Sequence, residues 1–323
     1  MDAITVTENG LRWQPHPDLP APDDNEVTIN VAWAGMNRAD LMQKAGRYPP
    51  PPGASPILGL EVSGTVSRIG ANVTHLKPGD PVCALLTGGG YASEVVVPAA
   101  QVLPIPQGLS LEQAAALPEV FATAWMNLYM VAHVQPGERV LVHAAASGVG
   151  TATIQLARAM GNPVFATAGS DDKLAFCQSL GADGIWNRKQ GSFTKAVQDW
   201  GGADMVLDPV GGDYIADDQK VLNPEGRIVL IGLMGGMGAS LDTALMLMKR
   251  QRIIGSTLRA QPIAVKGDVM DALYETVWPK LSSGEIRPII DRSWPIHEAD
   301  EAMAYLESNA SIGKVLLQVP AHS

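Results

Sequence analysis

Two textures of apolar and polar positions divide the chain. In the first third, EVTINVAWAG, LEVSGTVSRIG and YASEVVVP alternate apolar with polar residues, and the turn-forming segments YPPPPGASP and KPGDPV separate them. A period of two bounded by proline and glycine marks half-buried strands, so this region predicts a barrel-like β domain. From about Glu119 the pattern changes to short, wholly apolar runs alternating with helical periodicity. RVLVHA leads to TATIQLARAMG, PVFATA to KLAFCQSLG, GIWN to FTKAVQDW, ADMVLDPV to DYIADDQKVL, GRIVLIGL to TALMLMKR, and RIIGSTL comes last. Strands that are apolar on both faces need cover on both faces, so these runs predict a doubly wound parallel α/β sheet. Beyond it, VMDALYETVWPKLSSG and HEADEAMAYLES read as amphipathic helices and GKVLLQV as a strand. They break the alternation and are expected to pack back on the first domain. The expected division is 1–119 for the β-rich domain, 120–260 for the doubly wound domain and 261–323 for elements completing the first.

Charge and composition narrow the function classes. A net charge of −10 leaves no overall field of Lys and Arg for a phosphate backbone, so no nucleic-acid partner is expected. No apolar run approaches the roughly 20 residues needed to cross a bilayer, and MDAITVTENG lacks the basic and apolar regions of an export signal. A cytoplasmic, membrane-free protein is expected. The two cysteines, Cys83 and Cys177, lie far apart in apolar contexts and read as reduced, buried thiols. His16, His75, His133, His143, His297 and His322 show no ligand spacing, so each reads as a surface or hydrogen-bonded histidine and no metal is expected.

The turn after the first apolar run, VLVHAAASGVG, carries the clearest chemistry. Dinucleotide-binding turns need small residues at three places, for a tight bend, for close backbone approach to a pyrophosphate and for helix packing on the strand. Here those places hold Ala145, Ser147 and Gly150. Ser147, Gly148, Val149 and Gly150 open the following helix, where backbone N–H groups and the Ser147 hydroxyl suit a phosphate. The competing reading is a plain small-residue turn. Cofactor choice is read at the end of the next strand, where NAD-preferring folds place a carboxylate for the ribose hydroxyls. That place holds Ala168, followed by Gly169, Ser170 and Lys173, and Arg188 follows the third strand. A gap lined by a hydroxyl and cations favours NADPH. Asp171 and Asp172 either cap the helix beginning near Lys173 or take the ribose contact themselves.

The segments AGMNRADLMQKAGRYPPPPG, LGLEVSGTVSRIG, PGDPVCALLTGGGYASEVVVP, LPEVFATAW, VLVHAAASGVGTATIQLA, GLMGG and IGKVLLQVP together resemble the zinc-independent quinone oxidoreductases of the medium-chain dehydrogenase/reductase superfamily, most nearly the tumour-suppressor-inducible NADPH branch. The resemblance implies a GroES-like barrel completed by C-terminal elements and a Rossmann domain inserted within it. It also implies a homodimer and a hydride transfer from NADPH to a small-molecule quinone. Zinc-dependent members hold their metal with two Cys and a His. At those places this chain runs AGMNRAD, GLE with Leu60, and PEVFATAW, and no four-cysteine lobe follows PGDPV. A quinone is electron-poor enough to accept hydride without a Lewis acid.

By the same resemblance Asn37 and Tyr48 would flank the nicotinamide and acceptor, with Asp40 beside Asn37 as a further catalytic candidate. Asp40 also reads as a helix-entry cap and Tyr48 as a loop anchor. Thr123 resembles the threonine supporting the nicotinamide. Gly232, Leu233 and Met234 lie in a glycine-rich loop at a strand end, Leu258 and Arg259 at the end of the sixth strand near the carboxamide, and Lys314 within reach of the adenosine phosphate. Two other readings remain open: reduction of an activated alkene, and a non-catalytic, crystallin-like NADPH-binding role.

Overall fold

Val140, Leu141 and Val142 present apolar side chains to both sides of the backbone, and all three are sealed from solvent. They form the central strand of a six-stranded sheet in the computed structural model, which describes residues 1–8 and 10–321. Across this sheet the order is Gly184–Asn187, Val164–Ala168, Val140–Val142, Ala203–Asp208, Leu222–Leu230 and Arg252–Gly255, and every neighbouring pair is parallel. The helices Gly148–Ala159, Asp171–Ser179, Thr194–Trp200, Tyr214–Val221 and Thr243–Lys249 alternate with the strands. The doubly wound parallel sheet expected from the apolar runs is therefore present. Because the second strand lies on one side of the first and the fourth on the other, chain direction diverges at the carboxyl end of Val140–Val142, the place where such sheets bind ligands.

The first strand is shorter than its apolar run. Its ladder ends at Val142, and His143 to Ala146 form a turn in which Ala144 takes the left-handed conformation, with φ of 47°. A side chain there is strained, and the bend places Ser147 at the helix entry.

The chain divides into two compact units, residues 1–122 with 258–323, and residues 123–257. The first unit holds a seven-stranded sheet ordered Ile290–Pro295, Lys314–Gln318, Glu26–Gly35, Glu61–Ile69, Pro81–Leu85 and Val102–Pro104, with Glu94–Pro98 pairing to Glu26–Gly35 off this path. The C-terminal strand Lys314–Gln318 pairs antiparallel with Glu26–Gly35, which brings Lys314 beside the loop that follows Gly35. The alternating apolar positions Val27, Ile29, Val31, Val62, Val66, Val82, Val95 and Val97 form its core. No helix among the described residues is long and apolar enough to cross a membrane.

Candidate active site

The unit 123–257 carries the dinucleotide-type turn. Ser147 is exposed, caps the helix Gly148–Ala159, and its Oγ accepts the N–H of Gly150 at 3.1 Å, which leaves the hydroxyl proton free to donate outward. Gly148 and Val149 are half-buried at the helix entry. A Cβ on Gly150 would stand 2.4 Å from the carbonyl oxygen and 2.6 Å from the Cα of Ala145, so the helix lies on the turn at a distance that only glycine permits. These features fit a pyrophosphate at the helix N-terminus.

The end of the second strand fits a phosphorylated ribose. Ala168 closes the strand, and an added Cβ on the next residue, Gly169, would meet Nε of Arg188 at 3.0 Å. Arg188 is exposed and stands at the start of the short 3-10 turn after Gly184–Asn187. Ser170 occupies the N-cap of Asp171–Ser179 without a side-chain cap bond, and Lys173 lies in the first turn. Asp171, at the start of that helix, accepts a hydrogen bond from Asn187 Nδ2 at 2.7 Å, and Asp172 shares its acidic first turn.

Gly232, Leu233 and Met234 follow the fifth strand, and their loop is pinned to the neighbouring strand end. Met234 N–H donates to Pro209 O at 3.3 Å, and Gly235 N–H to Val210 O at 2.7 Å. Asp208 in turn accepts the N–H groups of Val210 at 2.6 Å and Gly211 at 3.0 Å. Leu233 and Met234 stay about half exposed, available to a ligand.

The turn opens on a histidine that the chain's spacing did not single out. His143 Nδ1 meets Thr167 Oγ1 at 2.7 Å and Nε2 meets Asp218 Oδ1 at 2.8 Å, and all three residues are buried. Burial works to lower the His143 pKa, but the charge and hydrogen bond of Asp218 outweigh it and the net shift is upward. Burial pushes Asp218 up to about 6. The contacts tie the start of the turn to the second strand and the helix Tyr214–Val221.

The other unit carries a polar cluster. Asp40 is 1% exposed, and its carboxylate accepts Asn37 N–H at 2.7 Å, Tyr91 Oη at 2.9 Å and Gly59 N–H at 3.2 Å. Burial raises its pKa to about 6, against the pull of Asn37, Tyr91, Lys314 and Gly59. Asp40 thus caps its own helix, Arg38–Lys44, with both oxygens engaged. Of its two readings, the helix cap is the one this geometry shows. Asn37 bridges the cluster: Nδ2 donates to Glu61 Oε1 at 3.0 Å, and Oδ1 accepts from Lys314 Nζ at 2.8 Å.

Lys314 also departs from expectation. It is buried, pairs with Glu61 at 2.6 Å and donates to Met36 O, so its three ammonium donors are committed inside this unit and not to an adenosine phosphate. Strand pairing of Lys314–Gln318 with Glu26–Gly35 enforces this. Leu258 and Arg259 lie beyond the end of the sixth strand and not at it. The sixth strand ends at Gly255, Leu258 is buried, and Arg259 donates to Thr87 O at 2.8 Å, Gln43 Oε1 at 2.7 Å and Tyr48 O at 3.4 Å. Its guanidinium lies 5.3 Å from the Tyr48 ring centre, a cation–π arrangement that fixes the half-buried ring. Burial raises the Tyr48 pKa, Arg259 opposing, and its phenol has no hydrogen-bond partner among the described residues. Thr123 is buried in the helix Pro118–Trp125 and its carbonyl accepts from Asn127 Nδ2 at 2.8 Å.

Glu61, Tyr91, Glu119 and Lys266 belong to this cluster yet were missed from the sequence. The signals were a charged residue opening an otherwise apolar strand, LEVSG, and one opening an apolar helix, PEVFATAW. Nothing comparable marks Lys266, whose Nζ donates to Thr87 Oγ1 at 2.6 Å. Both cysteines are buried and unpaired. His16, His75, His133 and His297 lie outside the cluster, and His322 falls outside the described residues. No group of three or more His, Cys, Asp or Glu suited to a metal occurs among the described residues.

Comparison with known proteins agrees with this architecture. The family model for the alcohol dehydrogenase GroES-like domain matches residues 23–107, and that for zinc-binding dehydrogenase matches residues 148–275. Quinone oxidoreductase-like protein 2 of Bos taurus is 34% identical over 302 residues, covering 91% of this chain and 85% of that protein. The quinone oxidoreductase of Thermus thermophilus, solved also in complex with NADPH, is 33% identical with a TM-score of 0.83, covering 98% of this chain and all (100%) of that one. The CurK enoyl reductase is 31% identical with a TM-score of 0.86, covering 99% of each chain. The chain, a Rossmann sheet joined to a GroES-like unit, belongs to the zinc-independent quinone oxidoreductase-like family of the medium-chain dehydrogenase/reductase superfamily.

Proposed function

We propose that the protein is an NADPH-dependent quinone oxidoreductase. The observation that carries the cofactor reading is the Arg188 guanidinium lying against Gly169, next to Ala168, whose place an NAD-preferring fold would fill with a carboxylate. Ser147 and Gly148 to Gly150 would hold the pyrophosphate, with Ser170, Lys173 and Arg188 around the 2′-phosphate. The cofactor supplies a hydride. The protein's own work is to orient the acceptor and to exclude water. Tyr48, clamped by Arg259 and with an unengaged phenol, is suited to donate a hydrogen bond to the acceptor oxygen, and Asn37 is held rigid by Glu61 and Lys314. The likeness to a quinone oxidoreductase complexed with NADPH supports this reading.

The likeness to an enoyl reductase supports a second reading, hydride delivery to an alkene conjugated with a carbonyl. A steady-state screen of ortho-quinones, para-quinones and enones with NADPH and with NADH separates the two. Turnover of quinones with a clear NADPH preference is expected; turnover of enones alone would replace the quinone assignment, and equal use of NADH would overturn the cofactor reading.

A homodimer is proposed to form through the edge strand Arg252–Gly255. In the segment that leads into it, Met237, Leu241, Leu247 and Met248 leave 90%, 50%, 80% and 71% of their surface exposed, apolar side chains that a second copy would cover. Light scattering should give twice the chain mass, and Leu247→Asp should return it to one.

A further inference from the structure

Three carboxyl groups meet in the polar cluster, and their hydrogen bonding separates them. Asp40 has its oxygens filled by two N–H groups and a phenol. Glu61 accepts from Asn37 Nδ2 and from Glu119 N–H at 2.9 Å, and pairs with Lys314. Glu119 is different. Its backbone is anchored to Glu61, the residue keeps part of its surface open, and its own carboxyl accepts no hydrogen bond among the described residues. It stands in the first turn of Pro118–Trp125, and the charges that act on it are Glu61, Lys314 and Asp40 from the sheet and first helix, and Lys266 from the helix Ile263–Thr276. Tyr48 and Arg259, the pair assigned to the acceptor, also feel its charge.

We propose that Glu119 is the general acid of the reaction, the group that hands a proton to the acceptor oxygen as hydride arrives. This rests on the oxidoreductase reading above. An acceptor that gains a hydride carries two added electrons and one hydrogen, and it needs one proton to become neutral hydroquinone. The O–H bond of Glu119 breaks, an O–H bond forms on the acceptor, and the carboxylate left behind recovers its proton from water. Burial first, then the neighbouring Glu61 charge, push the Glu119 pKa to about 8 against Lys314 and Lys266, so the carboxyl is protonated at neutral pH. Asp40 and Glu61 cannot replace it, because their oxygens are already bound.

The test uses the intact chain and the variants Glu119→Gln and Lys266→Met. Without cofactor or substrate, infrared difference titration should show a protonated-carboxyl band that disappears near pH 8 in the parent and is missing in Glu119→Gln. Removing the Lys266 charge should move that band's loss to higher pH. In turnover, Glu119→Gln should lower kcat about tenfold or more at neutral pH and remove its fall above pH 8, with KM and NADPH affinity within about twofold. An unchanged carboxyl band in Glu119→Gln, or parent-like kcat with the same alkaline limb, would overturn the proposal. If the parent reduces enones but no quinone while Glu119→Gln still removes the alkaline limb, the acid role stands and only the quinone assignment fails.

Discussion

Lys314 Nζ lies 2.6 Å from Glu61 Oε1, and both side chains are sealed from solvent. Removing one member of such a pair strands an uncompensated charge. Lys314→Met should therefore destabilise the fold by roughly 3–5 kcal/mol, whereas the double change Lys314→Met with Glu61→Leu should lose less than the sum of the two single changes. Denaturant midpoints at constant slope provide the measurement. A loss under about 1 kcal/mol in Lys314→Met would mean that the pair contributes no more than a surface one.

Gly150 gives a prediction at the cofactor turn. Any side chain there meets the Ala145 carbonyl at 2.4 Å, so Gly150→Ala must lift the helix from the turn. Overpacking of this kind costs about 1–3 kcal/mol, which corresponds to about a fivefold to 150-fold weakening of NADPH if the strain is relieved by moving the phosphate-binding N-terminus. Gly150→Val should abolish binding in a folded protein. Fluorescence titration of NADPH, with circular dichroism as the folding control, decides it; parent-like affinity would mean that the nucleotide does not use this turn.

The sheet was legible because its strands are apolar on both faces, so Val140, Val164, Val206 and Ile228 announce parallel pairing without reference to any partner. The cofactor turn was legible because its requirement is local: small residues at fixed offsets. The polar cluster was not. Lys314 reaches Glu61 and Asn37 only through strand pairing that joins the tail of the chain to its first third, and a local pattern carries no information about that register. Arg259 was misplaced for a related reason. The apolar run RIIGSTL continues past the last ladder residue, Gly255, so the run overstates the strand and carries Arg259 from the sheet end to a clamp on Tyr48. His143 sits at the end of an apolar run and gives no hint of Asp218, which reaches it from a different helix.

Arg188 tests the choice of cofactor. A charge-assisted hydrogen bond to a 2′-phosphate is worth about 1.5–3 kcal/mol, so Arg188→Ala should raise the KM for NADPH by about tenfold or more while changing NADH by less than about threefold. Lys173→Ala should act in the same direction. Parallel loss with both cofactors would place the 2′-phosphate elsewhere, and Gly169→Ala, which presses on the guanidinium at 3.0 Å, should mimic a weak form of Arg188→Ala.

The titrating groups set how stability varies with pH. Asp40 and Asp218 rise from 3.8 to about 6 on folding, burial being the main cause, and Glu119 rises from 4.5 to about 8. His143 rises above 6.5 because Asp218 outweighs its burial. Each of these holds its proton more tightly when folded, so its contribution is fully present below the unfolded pKa and is lost as pH rises through the folded one. Asp217, Asp300 and Glu138 move the other way: their pKa values fall despite burial, through hydrogen bonds from Lys220, Lys44 and Arg227. Their contribution is present above the unfolded values of 3.8 to 4.5 and is lost as pH falls. The two sets cross near the unfolded carboxyl values, so stability is highest at about pH 4 and declines from there through neutrality to about pH 8. Denaturant midpoints taken across this range should follow that course, and Glu119→Gln should flatten the part between pH 5 and about 8. A midpoint that rises from pH 6 to pH 9 would show that the ionised forms of these buried groups are the ones the fold prefers.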